Sequence, residues 1–269
     1  MSLLLPALLR HGFAVVRLPS GDGRALQSAL RAWGMRGSFR HPPVPGVDDM
    51  ENETNRRSEN DDFPEERECF NALFARCRDS IYRLESEWRE AMGAPLLGAS
   101  LLATLPKGDV FLPDHCLPFE GVVPPSAFDQ SFFNVFNYDH GTLNAHVDRG
   151  LLTVVTGYTK NSQHETSSRL WIRDLHTRRW IDAEAECARH SANTIGDNCD
   201  YALLFGGEQL ERLTGGRVSA IEHCVRVDPD GVFLNRSHHT RDPAAQSATG
   251  NRLSAAMIFS FREEEKEQG

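Results

Sequence analysis

A chain of 269 residues can bury a substantial core, either as one large domain or as two small ones. With 40% hydrophobic and 25% charged residues, it has the composition of a globular protein and not of a disordered one. The formal charge of −9, from 38 acidic against 29 basic side chains, repels phosphate backbones and argues against nucleic acid as a general partner.

No apolar run reaches the roughly 18–20 residues that cross a bilayer, so no membrane segment is expected. The start, Met1 to Leu9, is apolar but short and contains Pro6. It lacks a basic n-region and a small-residue cleavage site, which argues against a signal peptide. Six cysteines (Cys69, Cys77, Cys116, Cys187, Cys199, Cys224) are scattered without a C-x-x-C pair. That spacing fits neither a zinc finger nor a disulfide framework, so reduced thiols in the cytoplasm are expected.

In chain order, Gly12 to Pro19 reads as a strand stopped by its proline. Ser20-Gly-Asp-Gly23 then turns into a helix with Leu26, Leu30 and Trp33 at helical spacing. From His41 to about Glu68 the composition shifts to prolines and then to Asp, Glu and Asn. This reads as a solvated loop, and the stretch 48–68 as a candidate lid or partner surface. Phe70, Leu73, Phe74, Cys77, Ile81, Leu84, Trp88 and Met92 form one apolar stripe of a helix that Gly93 stops.

After Pro95 the pattern becomes β. Leu101–Leu105, Ser131–Tyr138, Leu151–Thr156, Arg169–Leu175, Tyr201–Phe205, Val218–Val227 and Leu253–Phe261 are short, apolar or alternating, and bounded by turn residues. The expected fold class is mainly β with supporting helices, a sandwich or jelly roll. Residues 1–95 would form a supporting region and 96–269 the β core, as one continuous unit. Arg262 to Gly269 reads as a charged, fraying end.

Among the residues capable of chemistry, His146-Val147-Asp148 is the single H-x-[DE] triplet, where composition alone gives about one or two by chance. Its position between two strand-like runs gives it weight. In an extended triplet the imidazole and carboxylate share a face. They would then supply two ligands of a 2-His-1-carboxylate iron site. His223, in a strand-like run after the turn Thr214-Gly-Gly216, is the candidate third ligand, although a strand histidine is more often a core or surface residue. Arg252 and Ser254 also lie two apart. An inward arginine needs an anion, either a carboxylate ligand held bidentately or an internal Asp or Glu.

Taken in order, these motifs resemble the isopenicillin N synthase-like branch of the Fe(II)/2-oxoglutarate dioxygenases. Asn137-Tyr138 is similar to the family's Asn-Tyr strand, and His146-Val-Asp-Arg-Gly-Leu-Leu-Thr153 to its H-x-D and Leu-Thr strand. Trp171-Ile-Arg-Asp174 and Arg179-Trp-Ile-Asp182 resemble its Trp hairpin, and Ile195-Gly-Asp197 its turn. Leu213 to Val225 resembles the strand of the distal histidine, and Arg252-Leu-Ser254 the closing R-x-S. The match runs from about Phe132 to Phe261, and the Gly-Phe-Ala-Val-Val strand near the N-terminus resembles the family's opening. Cys224 stands where the family has Arg, Asp139-His-Gly replaces a Pro-rich segment, and 228–249 is an insertion containing His238 and His239. Those two histidines are rival distal ligands, while the Thr-Gly-Gly-Arg … Glu-His context favours His223.

The resemblance implies a double-stranded β-helix holding Fe(II) on His146, Asp148 and His223. It implies 2-oxoglutarate as co-substrate, its distal carboxylate on Arg252 and Ser254, with Tyr138 or Asn137 adding a hydrogen bond. It also implies O2, succinate and CO2, and a small organic substrate. Two rival readings stay open: an iron oxidase of the same fold that uses no 2-oxoglutarate, and a non-catalytic binding protein on that core.

Overall fold

The computed structural model describes residues 3–18, 64–97, 102, 105, 131–138, 143–159, 169–193, 201–226 and 252–261. Of these, 64–71, 132–138, 158–159, 191–193 and 252–253 are described by their backbone alone. The helix placed after Gly23, the acidic stretch 48–68 up to Phe63, the Ile195-Gly-Asp197 turn and the insertion 228–249 lie outside the described residues.

The chain opens with helix α1 (Leu4–His11), which buries Leu4, Leu5 and Leu8. So the apolar start is a short amphipathic helix. The Glu87 carboxylate accepts the free amides of Leu4 (3.1 Å) and Leu5 (2.5 Å), filling the role of the missing N-cap side chain. Gly12 ends the helix at φ +81°, and a Cβ there would meet the Ile221 side chain at 2.4 Å. Strand β1 (Phe13–Arg17) follows, matching the expected strand.

Helix α2 (Pro64–Met92) is the expected long helix, but it starts six residues before Phe70, the first of its apolar stripe, so residues 64–68 of the expected loop are helical. Leu73, Phe74, Cys77, Ile81, Leu84 and Trp88 are all buried, so the stripe is a packing face. Phe74 meets Phe259 with ring centroids 5.4 Å apart. Glu85, also buried, accepts the amides of Leu96 (2.9 Å) and Leu97 (2.8 Å) and so folds the chain back after the helix.

The β core contains β2 (Phe132–Tyr138), β3 (Leu143–His146), β4 (Leu152–Thr159), β5 (Arg169–Arg173), β6 (Trp180–Asp182), β7 (Tyr201–Gly206), β8 (His223–Arg226) and β9 (Arg252–Phe259). Helix α3 (Ala183–Asn193) follows β6, and helix α4 (Glu208–Leu213) follows β7. Two antiparallel sheets result, ordered β1-β7-β4-β9-β2 and β3-β8-β5-β6.

Alternation along the larger sheet explains the layering. Leu152, Val154, Ala202, Leu204, Ala255, Met257 and Phe259 pack against α1 and α2. Phe13, Val155, Leu203, Phe205 and Ala256 face the other way, onto Leu170, Ile172 and Val225 of the smaller sheet. The order is helices, five-stranded sheet, four-stranded sheet, and the described residues contain no helix long and apolar enough to cross a membrane.

Two expected strands differ. Leu102 is helical and Leu105 bonds back to its carbonyl (3.2 Å), so the described residues of Leu101–Leu105 do not form a strand. The run Val218–Val227 becomes β only at His223. Before that point the amides of Val218, Ala220 and Ile221 bond to Thr214 Oγ1, Glu211 Oε2 and the Gly206 carbonyl, leaving them no ladder to join.

Candidate metal centre

Strands β3 and β8 pair so that His146 stands opposite His223, with ring centroids 4.2 Å apart. Asp148 is not on a strand. It lies just past β3, in the short turn into β4, so its approach to His146 comes from that turn and not from an extended triplet. The turn is held from below. The Asp148 carbonyl accepts the Glu208 amide (2.8 Å), the Gly150 carbonyl accepts Gln209 N–H (3.1 Å), and the Leu151 amide donates to Phe259 O (2.7 Å).

Three donor atoms converge. Asp148 Oδ1 lies 3.6 Å from His146 Nε2 and 3.6 Å from His223 Nε2, and all three lie within 4.8 Å of one another. An octahedral ion with bonds of roughly 2.1 Å needs neighbouring donors about 3 Å apart, so the donors must draw closer together to close on a metal, the two Asp148 contacts by about 0.6 Å. Among the described residues it is the one cluster of three or more such side chains. Both imidazoles are committed through Nδ1, His146 to the Asn144 carbonyl (2.8 Å) and His223 to the Ile221 carbonyl (3.2 Å). A carbonyl only accepts, so each Nδ1 carries the proton and each Nε2 presents its lone pair.

Burial pushes the Asp148 carboxyl upward, but the facing imidazoles of His146 and His223 and the Thr153 hydroxyl outweigh it and hold the pKa below the ordinary carboxylate range. Thr153 Oγ1 donates to Asp148 Oδ2 at 2.5 Å, which leaves Oδ1 for the two imidazoles. His223 is buried and packs on the Phe205 ring at 4.7 Å; burial lowers its pKa, which favours the neutral form that a metal ligand needs. Burial also lowers that of His146, but Asp148 and the Asn144 carbonyl reverse the sign and raise it.

The anion-binding residues expected from the sequence sit elsewhere in the fold, on the larger sheet. Ser254 is buried on β9, and its hydroxyl donates to Thr156 O at 3.2 Å. Arg252 is two positions earlier on β9, paired with Tyr138 on one side and Thr159 on the other. Asn137 is opposite Leu253 and Tyr138 opposite Arg252, so the register places Tyr138 in the row of Arg252 and Ser254. His238 and His239 lie outside the described residues. Sequence reasoning missed the parts played by Thr153, by Asn144 and by Gly207, whose position a Cβ would bring against the main-chain oxygens of Gly150 and Asp148. Of these, only Thr153 lay inside a recognisable motif.

No protein-family profile matches the sequence, and no curated protein matches it. Solved structures do resemble it. The C-terminally truncated apo form of a Neurospora crassa protein is 14% identical, aligned over 95% of this chain and 85% of its own, with a TM-score of 0.51. The full-length Neurospora crassa protein in complex with alpha-KG and 5-formyluracil is 12% identical over 96% and 77%, TM-score 0.51. Its complex with alpha-KG alone gives 12% identity over 96% and 78%, TM-score 0.50. At such identity the likeness is one of fold. The chain is mainly antiparallel β with few helices, shares the fold of structures of the 2OG-Fe(II) oxygenase type, and carries a His-Asp-His triad.

Proposed function

We propose that this protein is an Fe(II)- and 2-oxoglutarate-dependent oxygenase acting on a small organic substrate in the cytoplasm. The observation that carries the reading is the convergence of two Nε2 atoms and one carboxylate oxygen, with both Nδ1 atoms and the second carboxylate oxygen already occupied. Three donors on one side leave the remaining positions of an octahedral ion open, which is the requirement of a non-haem Fe(II) oxygenase. Thiolate ligands, which would favour zinc or an iron–sulfur cluster, are absent from the cluster. The alpha-KG present in two complexes of the Neurospora crassa protein supports the choice of co-substrate. We read the two facing sheets as the halves of a double-stranded β-helix of the isopenicillin N synthase-like kind.

Bound iron with 2-oxoglutarate and O2 supplies oxidative decarboxylation, giving succinate and CO2, coupled to oxidation of the substrate. The chain's own residues set the conditions. The Asn144 and Ile221 carbonyls hold His146 and His223 with Nε2 toward the centre, and Thr153 steadies Asp148. The buried Phe205 ring packs on His223 and gives the centre an apolar wall on that side. In this reading Arg252 grips the distal carboxylate of 2-oxoglutarate bidentately, beside Ser254, with Tyr138 in the same row. Ser254 must turn its proton from Thr156 O to take part.

Anaerobic titration with Fe(II) and 2-oxoglutarate tests the reading. A visible metal-to-ligand charge-transfer band that saturates with 2-oxoglutarate is the expected result. Iron binding with no such band at any 2-oxoglutarate concentration would move the protein to an oxidase of the same fold. Absence of iron binding would leave a non-catalytic protein.

A further inference from the structure

The pairing of β3 with β8 contains an irregularity placed at the metal centre. Leu143 stands opposite Val225 and His146 opposite His223, so three steps along β3 answer two along β8. The additional residue makes a bulge at Asn144–Ala145. Along an unbroken strand Leu143 and His146, an odd number apart, would point to opposite faces. Leu143 packs into the core between the sheets, so an unbroken β3 would turn His146 away from His223. The bulge puts His146 back on the inner face.

A bulged residue loses its ladder bonds, and other contacts must hold it. Arg226 Nη2 donates to Asn144 Oδ1 at 2.7 Å, while the main-chain carbonyl of Asn144 accepts the proton of His146 Nδ1. Arg226 is itself anchored: its carbonyl accepts Trp171 Nε1 at 3.0 Å, and its backbone pairs with Arg169 on β5. The two histidines differ in their need for support. His223 is buried, whereas the His146 side chain is 37% exposed.

We propose that Arg226 is a positioning residue of the metal centre, bracing Asn144 in the β3 bulge so that its carbonyl holds His146 as the Nδ1–H tautomer with Nε2 toward the metal. The strand that supplies one ligand thereby also carries the brace for the other. This inference rests on the metal-centre reading for its consequence but has a readout independent of any metal.

The test uses the full chain, free of metal and at a pH above the imidazole range, with the ring nitrogens of His146 followed by two-bond nitrogen–proton NMR. Wild type should show the Nδ1–H tautomer. Arg226→Ala should gain a clear Nε2–H population, Arg226→Lys should fall between, and Asn144→Ala should resemble Arg226→Ala. Co(II) titration of the same samples should show affinity reduced about 10–100-fold in the two alanine variants, with an altered visible spectrum. A folded Arg226→Ala that keeps the Nδ1–H tautomer overturns the proposal. If Arg226→Ala does not fold, Asn144→Ala, at an exposed position, decides on the same criterion. Failure of wild type to bind Co(II) overturns the metal-centre reading, while the tautomer alone still decides the brace.

Discussion

Gly207 offers the sharpest perturbation of the centre that replaces none of its ligands. Its φ of −104° and ψ of −173° are open to any L-residue, so Gly207→Ala carries no backbone penalty and acts through sterics alone. The new Cβ would sit 2.3 Å from the Gly150 carbonyl oxygen and 2.7 Å from that of Asp148. Against a floor of 3.0 Å, these oxygens must retreat by at least about 0.7 Å and 0.3 Å. Both belong to main chain, which cannot swing aside as a side chain can. Metal–ligand distances tolerate errors of only about 0.2 Å, so moving the Asp148 turn by this much should break the coordination before it breaks the fold. Fe(II) or Co(II) affinity is expected to fall roughly 10–100-fold, with a stability loss of about 1–3 kcal/mol from overpacking. Gly206→Ala is the control. Its nearest contact is the flexible end of Leu210 at 2.9 Å, so metal affinity should stay near wild type. Anaerobic metal titration and thermal unfolding on the same preparations check both claims. Equal metal affinity in Gly207→Ala and wild type would refute the reasoning, because the Asp148 turn would then not be set by its packing on Gly207.

Four further outcomes are expected. His146→Ala, Asp148→Ala and His223→Ala should each largely abolish Fe(II) binding in folded protein, while His238→Ala and His239→Ala should not, as metal titration will show. Arg252→Ala should raise the apparent Kd for 2-oxoglutarate by roughly 30-fold or more, the cost of truncating one partner of a desolvated pair being on the order of 2–5 kcal/mol. Arg252→Lys should fall between, and a sharp loss of Tm with unchanged 2-oxoglutarate affinity would instead mark a structural arginine. Limited proteolysis should cut the part of segment 48–68 that precedes α2 readily in the apo protein and more slowly with iron and 2-oxoglutarate bound; equal rates would remove the lid idea. Burial raises the Asp174 pKa, but the Thr177 amide and His11 (2.7 Å) outweigh it and set it below the usual value. A depressed pKa means stability present above the unfolded value of about 3.9 and lost as pH falls through the folded one, so Asp174→Asn should flatten the acid limb of the Tm–pH curve.

What could be read from the sequence followed from periodicity and from order. The stripe of α2 declares itself by its 3.6 spacing and β5 by its alternation, because each buries one face, whereas β4 and β7, buried on both faces between the helices and the smaller sheet, show as short apolar runs bounded by turn residues. Helix α4, six residues long, is too short to show a period, and α1 has an acidic cap supplied from Glu87, far away in sequence. Helix α3 carries a local start signal: Asp182 Oδ1 accepts the Ala185 amide at 3.0 Å, with Glu184 and Glu186 in the first turn. The stretch before His223 looks like a strand because it is apolar. Its amides are nevertheless claimed by Thr214, Glu211 and Gly206, partners that no local pattern reveals.

The triad shows the same division at closer range. The sequence carries His146, Asp148 and His223 as residue types in the right order, and the structure brings all three together. The route differs from the extended triplet that spacing suggests. Asp148 reaches His146 through a turn pinned by Glu208, Gln209 and Phe259, and His146 reaches His223 through a bulge braced by Arg226. Ligand identity is a local property of a few side chains, so a motif can carry it. Ligand aim depends on main-chain register between strands more than seventy residues apart, on one additional residue in β3, and on a glycine that lets two carbonyls approach. A one-residue change in that register would reverse the face of His146 while leaving every motif in the sequence intact. Variants at Arg226, Asn144 and Gly207 therefore probe the aim of the ligands separately from their identity, which substitution of the histidines cannot do.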